Sequence, residues 1–235
     1  MAENGLFFFC AAAMPTPSNF ETQGASIMYL SEPVIKRLPM YYRYLKKLEM
    51  EGTVFVSSTA LSALMGLTAS QVRQDINAFG GIGRQGSGYP VHEMRQYIGE
   101  LMGVNKRQTM IIVGMGHLGS AIAAYEPFGQ NNFWTVAIFD NDPAKAGKSI
   151  GQLIIQSTDL LESFLQEQKV DIAALTLPSA SAQDMGDRLY SCGIRGFWNF
   201  APIDLQLPPD AAIINVHLEA GLEQLSYRMA HPEMW

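Results

Sequence analysis

Cysteine is scarce in this 235-residue chain, which has only Cys10 and Cys192, far apart and in unlike contexts. That excludes a disulfide framework and the paired spacings of zinc sites, and it fits a reducing cytoplasm. Cys192, in Leu189-Tyr-Ser-Cys-Gly193, reads as a small apolar residue at a helix end. Histidine is nearly as rare, with His92, His117, His217 and His231 alone. No obvious His–acid pairing or Tyr-x-x-x-Lys arrangement is present to move protons in a catalytic cycle. No apolar run reaches the ~18 residues that a membrane span needs. Basic residues are outnumbered, 16 against 22 acidic ones.

That average hides a division. Residues 34–107 hold ten Lys/Arg against five Asp/Glu, a net of +5, whereas residues 108–235 hold six against fourteen, a net of −8. A basic part that meets a polyanion and an acidic part that does not would produce this asymmetry. Two small domains suit the length. The first thirty residues differ from both. Leu6-Phe-Phe-Phe-Cys-Ala-Ala-Ala-Met14 imitates the apolar core of a signal peptide, but nothing basic precedes it and Glu3 is the one charge there. Residues 1–30 are therefore read as disordered or as an upstream extension, with Met28 an alternative start.

The basic segment, residues 31–107, opens with Ser31-Glu-Pro-Val34, a helix cap followed by a first-turn proline. Ile35, Leu38, Tyr41, Tyr42, Leu45 and Leu48 then recur at helical spacing, and Pro39 inside the pattern predicts a kink or short break before Met40. Ser57 to Gly66 reads as a short helix capped by serine and stopped by glycine. Thr68 to Phe79 reads as a second helix with Thr68 as its cap. The pair around Gly66 forms a helix-turn-helix pattern. Val72, Ile76 and Phe79 would pack inward, leaving Ser70, Gln71, Arg73, Gln74 and Asn77 outward, residue types suited to base edges and phosphates. The glycine-rich stretch Gly80 to Val91, carrying Arg84, suits a β-hairpin wing. Glu93 to Met102 is a further helix, and Gly103 to Gln108 a linker.

Residues 108–216 read as an α/β domain with a doubly wound parallel sheet of Rossmann type. The apolar run Met110-Ile-Ile-Val113 leads into Gly114-Met115-Gly116-His117-Leu118-Gly119. Asp140 closes a second apolar run 21 residues after Gly119. Strand, glycine triplet, helix, strand and acid in that register form the dinucleotide-binding fingerprint. The first glycine allows the tight turn, the second lets the backbone approach a pyrophosphate, and the third lets helix pack on strand. Asp140 would accept both ribose hydroxyls and repel a 2′-phosphate, favouring NAD(H). His117 would rim the phosphate site rather than transfer protons. After Asp140 come a strand at Leu153–Ile155, a helix from Ser157 to Gln168 and a strand from Asp171 to Leu177. A helix from Ala180 to Cys192 follows, then strands at Gly196–Phe200 and Ala212–Val216. Only Leu218 to Trp235 remains, a final helix and tail.

No substrate domain is left in this accounting, so an NAD(H)-binding module joined to a DNA reader points to a sensor rather than an enzyme. A small NAD-dependent oxidoreductase is the alternative from another class.

Several ordered segments carry a family resemblance. They are Arg37-Leu-Pro-x-Tyr-Tyr-Arg-Tyr-Leu45, Thr68-Ala-x-Gln-Val-Arg73 with Asp75, Gly86-x-Gly-Tyr89, and Ile112-Val-Gly-Met-Gly-x-Leu-Gly119. Phe139-Asp-x-Asp-Pro-x-Lys-x-Gly147, Asn199-Phe-Ala-Pro202 and Leu225-Ser-Tyr227 complete the set. From about Ile35 to Tyr227 the chain resembles the Rex redox-sensing transcriptional repressors. The resemblance implies a homodimer with an N-terminal winged helix-turn-helix domain and a C-terminal Rossmann domain. Residues 217–235 would be a dimerisation helix and tail, the helix swapped onto the partner. It also implies a palindromic double-stranded DNA operator, held when NAD⁺ prevails and released when NADH binds. By position along the strand ends, Thr176, Pro178, Asn199, Phe200 and Pro202 would surround the nicotinamide. Ser70, Gln71, Arg73, Gln74 and Arg84 would meet the DNA.

The chain also departs from that pattern. The family usually has Lys where Gln74 stands, a second base where Gln85 stands and a bulkier residue at Ser87, and each lost base removes a phosphate contact. Where His217 stands the family typically has Asp, a carboxylate that exchanges partners between a Tyr and an Arg matching Tyr89 and Arg43. His217 is an imidazole and no permanent anion. A paralogue with a weakened or altered redox response is the alternative within the class.

Overall fold

The computed structural model describes residues 30–80, 88–125 and 127–234. The extension at 1–29 and the central part of the glycine-rich segment, with Arg84, Gln85 and Ser87, lie outside the described residues. The chain divides into two compact units between Asn105 and Lys106, and each is described by itself.

The first unit opens with α1, Glu32–Met50, whose first turn carries Pro33. The break expected at Pro39 is absent: the helix runs unbroken through it. Proline removes the N–H that would serve the Ile35 carbonyl, but Pro39 lies on the exposed face, where water can replace it. A two-residue strand, β1 (Phe55–Val56), follows and was not foreseen from periodicity. Helix α2 spans Ser58–Met65. The Ser57 hydroxyl accepts the Ala60 N–H at its start, and Gly66 ends it in the left-handed conformation. Helix α3 spans Ala69–Ala78, with the Thr68 hydroxyl accepting the Gln71 N–H at 3.1 Å.

Strand β2 (Tyr89–Pro90) pairs antiparallel with β1, which precedes α2, so its described partner lies outside the Gly80–Val91 hairpin that the glycine pattern suggested. Helix α4, Val91–Leu101, begins two residues earlier than expected. Leu38, Tyr41, Leu45, Leu61, Val72, Ile76, Phe79, Met94 and Ile98 are buried together between these helices. Burying each large apolar side chain contributes about 1.5–3 kcal/mol. At the centre, Arg37 grips Asp75 with two hydrogen bonds of 2.7 Å, and the Tyr41 hydroxyl donates to the same carboxylate at 2.9 Å. This joins α1 to α3.

The second unit opens with β3 (Gln108–Val113), α5 (His117–Ala123) and the short α6 (Pro127–Gln130). Then come β4 (Phe133–Asp140), the two-residue β5 (Ser149–Ile150), β6 (Leu153–Ser157) and, after a 3₁₀ turn at Thr158–Leu160, α7 (Leu161–Glu167). Strand β7 (Ile172–Leu175), α8 (Ser179–Ser191), β8 (Gly196–Asn199), β9 (Ala212–Asn215) and α9 (Leu218–Ala230) complete it. Strand β7 is shorter at both ends than the expected Asp171–Leu177, although the Thr176 N–H just beyond it still donates to the Val113 carbonyl at 3.0 Å.

The sheet order is β5-β6-β4-β3-β7-β8-β9, with β5 antiparallel and the other six parallel. Counted along the parallel strands alone, this is order 3-2-1-4-5-6, that of dinucleotide-binding folds. The order reverses between β3 and β7, and ligands of such sheets bind outside the carboxyl ends of the strands at that point. Helix α9 is the exception to the packing. None of its residues is buried, and Leu218, Leu222, Leu225 and Met229, spaced i, i+4, i+7, i+11, are each more than half exposed. No helix among the described residues is long and apolar enough to cross a membrane.

Candidate functional site

The carboxyl ends of β3 and β4 carry the residues of the glycine fingerprint, and those of β7 and β8 the residues that the family resemblance implied. Val113 ends β3, and Gly114 follows with φ +99°, a conformation that side chains rarely adopt. A Cβ at Gly114 would lie 2.6 Å from the Thr176 carbonyl oxygen, and one at Gly119 would overlap the Gly114 carbonyl. A Cβ at Gly116, by contrast, would meet nothing within 4 Å. The three glycines therefore divide their tasks: two let backbone pack on backbone, and the middle one leaves open space at the loop, where a phosphate can approach. His117 and Leu118 are exposed beside it, while Met115 is buried in the sheet's second apolar cluster. Thr176, just beyond β7, donates its hydroxyl to the Gly114 carbonyl at 2.6 Å and so clamps the glycine turn across the switch point.

Asp140 ends β4 and is 4% exposed. Its Oδ2 accepts the Met115 N–H at 2.6 Å and Lys145 Nζ at 2.9 Å, and its Oδ1 accepts the Asp142 N–H at 2.8 Å. Burial pushes this carboxyl up, but the Asp142 N–H, Lys145 and the Met115 N–H outweigh that and hold it below the usual carboxylate range. The acid of the fingerprint is thus already tied to the glycine loop. Lys145 lies in the Phe139–Gly147 segment, and its role there is evident only in the structure. Its position five residues after the acid was the available signal.

On the far side of the switch point Asn199, at the end of β8, is fully buried. Its amide donates to the Ile203 carbonyl at 2.7 Å and to Asn215 Oδ1 at 2.9 Å, while its own oxygen accepts the Ala201 N–H at 3.0 Å. Its polar atoms hold the 199–203 turn to β9, so it shapes this edge rather than offering free donors to it. Asn215 is the partner that strand patterning did not reveal. Phe200 is half-buried and meets Trp198 edge-on, ring centres 4.5 Å apart. Pro178, capping α8, and Pro202 are exposed.

In the first unit, Ser70, Arg73, Gln74 and Asn77 stand exposed along α3, and Gln71 is half-buried with its N–H in the Thr68 cap. Arg73 Nη1 donates to the Ser58 hydroxyl at 3.2 Å, linking the exposed faces of α2 and α3. Arg84 lies outside the described residues. Of the three switch residues, Arg43 is exposed over the Tyr44 ring at 5.2 Å, and Tyr89 is half-buried in β2. His217 belongs to the second unit, where its Nε2 lies 2.9 Å from Asp204 Oδ1 and its Nδ1 lies 3.8 Å from Glu219 Oε1. Among the described residues no cluster could hold a metal ion.

Two family models match the chain: "Putative DNA-binding protein N-terminus" over residues 29–77 and "CoA binding domain" over residues 105–203. A redox-sensing transcriptional repressor Rex of Thermoanaerobacter sp. (strain X514) is 42% identical over 206 residues, covering 88% of this chain and 92% of that one. The Rex of Clostridium tetani (strain Massachusetts / E88) is 44% identical over 204 residues, covering 87% and 97%. Among solved structures, RSP in complex with β-NAD⁺ and operator DNA superposes with a TM-score of 0.82 at 42% identity, covering 87% of this chain and 94% of that one. RSP, a Rex-family repressor, in complex with β-NADH gives a TM-score of 0.79 at 40% identity, covering 87% and 96%.

Proposed function

Because this chain belongs to the Rex family of redox-sensing transcriptional repressors, we propose that it works as a homodimeric repressor in the cytoplasm, holding a palindromic operator with NAD⁺ bound and releasing it on NADH. One observation carries this reading. RSP, which spans both units at a TM-score of 0.82, was solved with β-NAD⁺ and operator DNA together, and again with β-NADH. The family is one of repressors, so the Rossmann unit is that of a sensor rather than of a dehydrogenase.

Local geometry supports each part. The glycine turn, clamped by Thr176 and backed by Asp140, suits the pyrophosphate and adenosine ribose of NAD(H), and the β7 and β8 ends with Thr176, Pro178, Asn199 and Phe200 border the place for the nicotinamide. The exposed row Ser70, Arg73, Gln74 with Gln71 on α3 suits the major groove, and Arg84 would add a wing contact. The uncovered apolar stripe on α9 suits a second copy of the chain, and a two-fold dimer would present two α3 helices to a palindrome. The test is gel-shift or anisotropy titration of the operator DNA used with RSP, at fixed salt, with NAD⁺ and then NADH. Release by NADH alone is expected, and indifference to both cofactors or to the DNA overturns the reading.

A second reading, a repressor with a weakened redox response, is favoured by one observation. His217 is engaged by Asp204 within its own subunit and is no fixed anion for Arg43 or Tyr89. Coupling between two ligands is typically ~1–3 kcal/mol, and the loss of one ionic partner can cancel it. Under this reading His217→Asp increases the NADH-induced loss of operator affinity. No change in that variant removes it.

A further inference from the structure

Asp140 has too few free acceptor positions to take both hydroxyls of a ribose. A carboxylate offers about four lone-pair directions. Oδ2 already receives two donors, the Met115 N–H and Lys145 Nζ, and Oδ1 receives the Asp142 N–H. One direction remains, on Oδ1. The Lys145 ammonium has the opposite surplus, because of its three N–H donors only one is directed to Asp140. Its side chain keeps 34% of its surface exposed, against 4% for Asp140. A local turn places it there: Asp142 Oδ1 accepts the Ala144 N–H at 2.9 Å, and the Asp142 carbonyl accepts the Lys145 N–H at 3.0 Å.

On the reading that this edge holds the adenosine half of NAD(H), we propose that Lys145 reads the ribose together with Asp140 and sets how strictly the site refuses a 2′-phosphate. Asp140 alone would present a net negative charge to the 2′ position and exclude NADP(H) by repulsion. Lys145 balances the charge of Asp140 and brings two further ammonium donors that fit either a ribose oxygen or a phosphate oxygen. Lys145 therefore relaxes the exclusion that the acid by itself would enforce.

The test compares NADH and NADPH affinities of the full chain by fluorescence titration at low ionic strength, in wild type and in Lys145→Met, Lys145→Arg and Lys148→Met. Lys148 is a nearby exposed cation with no side-chain role at the site. Lys145→Met is expected to raise the preference for NADH over NADPH about tenfold, an effect that shrinks with added salt. Lys145→Arg and Lys148→Met are expected to keep the wild-type ratio. Because both ligands titrate the same folded molecules, a loss of folded protein cancels in that ratio. A Lys145→Met ratio within twofold of wild type, or an equal shift in Lys148→Met, overturns the role of Lys145 while leaving NADH binding intact. Wild-type protein that takes up neither nicotinamide overturns the cofactor reading and this proposal with it.

Discussion

The two units bury their polar groups in different places. In the first, Asp75, Arg37 and Tyr41 meet among the helices, and their bonds hold α1 to α3. In the second, the middle of the sheet is apolar, with Ile111, Ile112, Ile138, Ala173 and Ala174 nearly or fully inaccessible. Its buried polar side chains Asp140, Thr158 and Asn199 stand at or just past the carboxyl ends of β4, β6 and β8. Buried polarity in the helical unit is therefore architectural. In the sheet unit it gathers along the one edge where the topology admits a ligand.

If that contrast is right, Asp75→Ala strikes the first unit alone. Removing one partner of a buried pair costs about 3–5 kcal/mol and strands the other charge, here Arg37 at 19% side-chain exposure, so the lower end applies. Denaturation should show the helical unit unfolding early while NADH binding by the other persists. Concerted loss of both would mean that the units are not independent.

Asn199→Ala is the counterpart in the second unit. It removes three hydrogen bonds and leaves the Asn215 oxygen and the Ala201 N–H short of partners, a cost of about 2–3 kcal/mol. Its thermal transition should fall and NADH affinity with it, whereas the first unit should hold.

At Gly119→Ala the added carbon overlaps the Gly114 carbonyl, so the glycine turn itself must shift. Affinity for NADH should drop by at least about tenfold, or 1.4 kcal/mol, with operator binding retained but no longer released by the reduced cofactor. Unchanged NADH affinity would mean that the glycine turn is not the phosphate site. Arg73→Ala should cost operator affinity about 1–3 kcal/mol and leave NADH binding as it was.

Acid should separate the units more gently. Tyr41 is pushed up by burial and by its bond to Asp75, so the stability it lends is full below about pH 10 and fades as pH rises above that. Asp140 is held low by its donors despite burial, and Glu162 is held low by Arg188. Their contribution is present above about pH 4 and fades as pH falls below it. Thermal unfolding across pH should thus weaken chiefly the sheet unit in acid and both units in alkali, because burial also pushes up the Cys192 thiol and the bond to Asp210 pushes up the Tyr190 hydroxyl of the sheet unit. Glu49, held low chiefly by His92, gives the first unit a share of the acid loss.

Local signals in the chain were enough for the helix-turn-helix and for the dinucleotide fingerprint. Ser57 and Thr68 cap their helices through contacts three residues away, and Gly66 stops α2 by its own backbone preference. The glycine triplet and Asp140 are bound to a strand–turn–helix whose geometry is equally short-range. What periodicity could not supply were partnerships over long separations: β1 with β2, Arg37 with Asp75, Asn199 with Asn215, and His217 with Asp204. Two-residue strands carry no alternation to detect, and a buried charge pair leaves no mark on either helix taken alone. Whether the fingerprint acid is free or already satisfied was likewise decided only when the turn at Asp142–Lys145 folded back onto it, because hydrogen-bond capacity depends on which donors arrive in space.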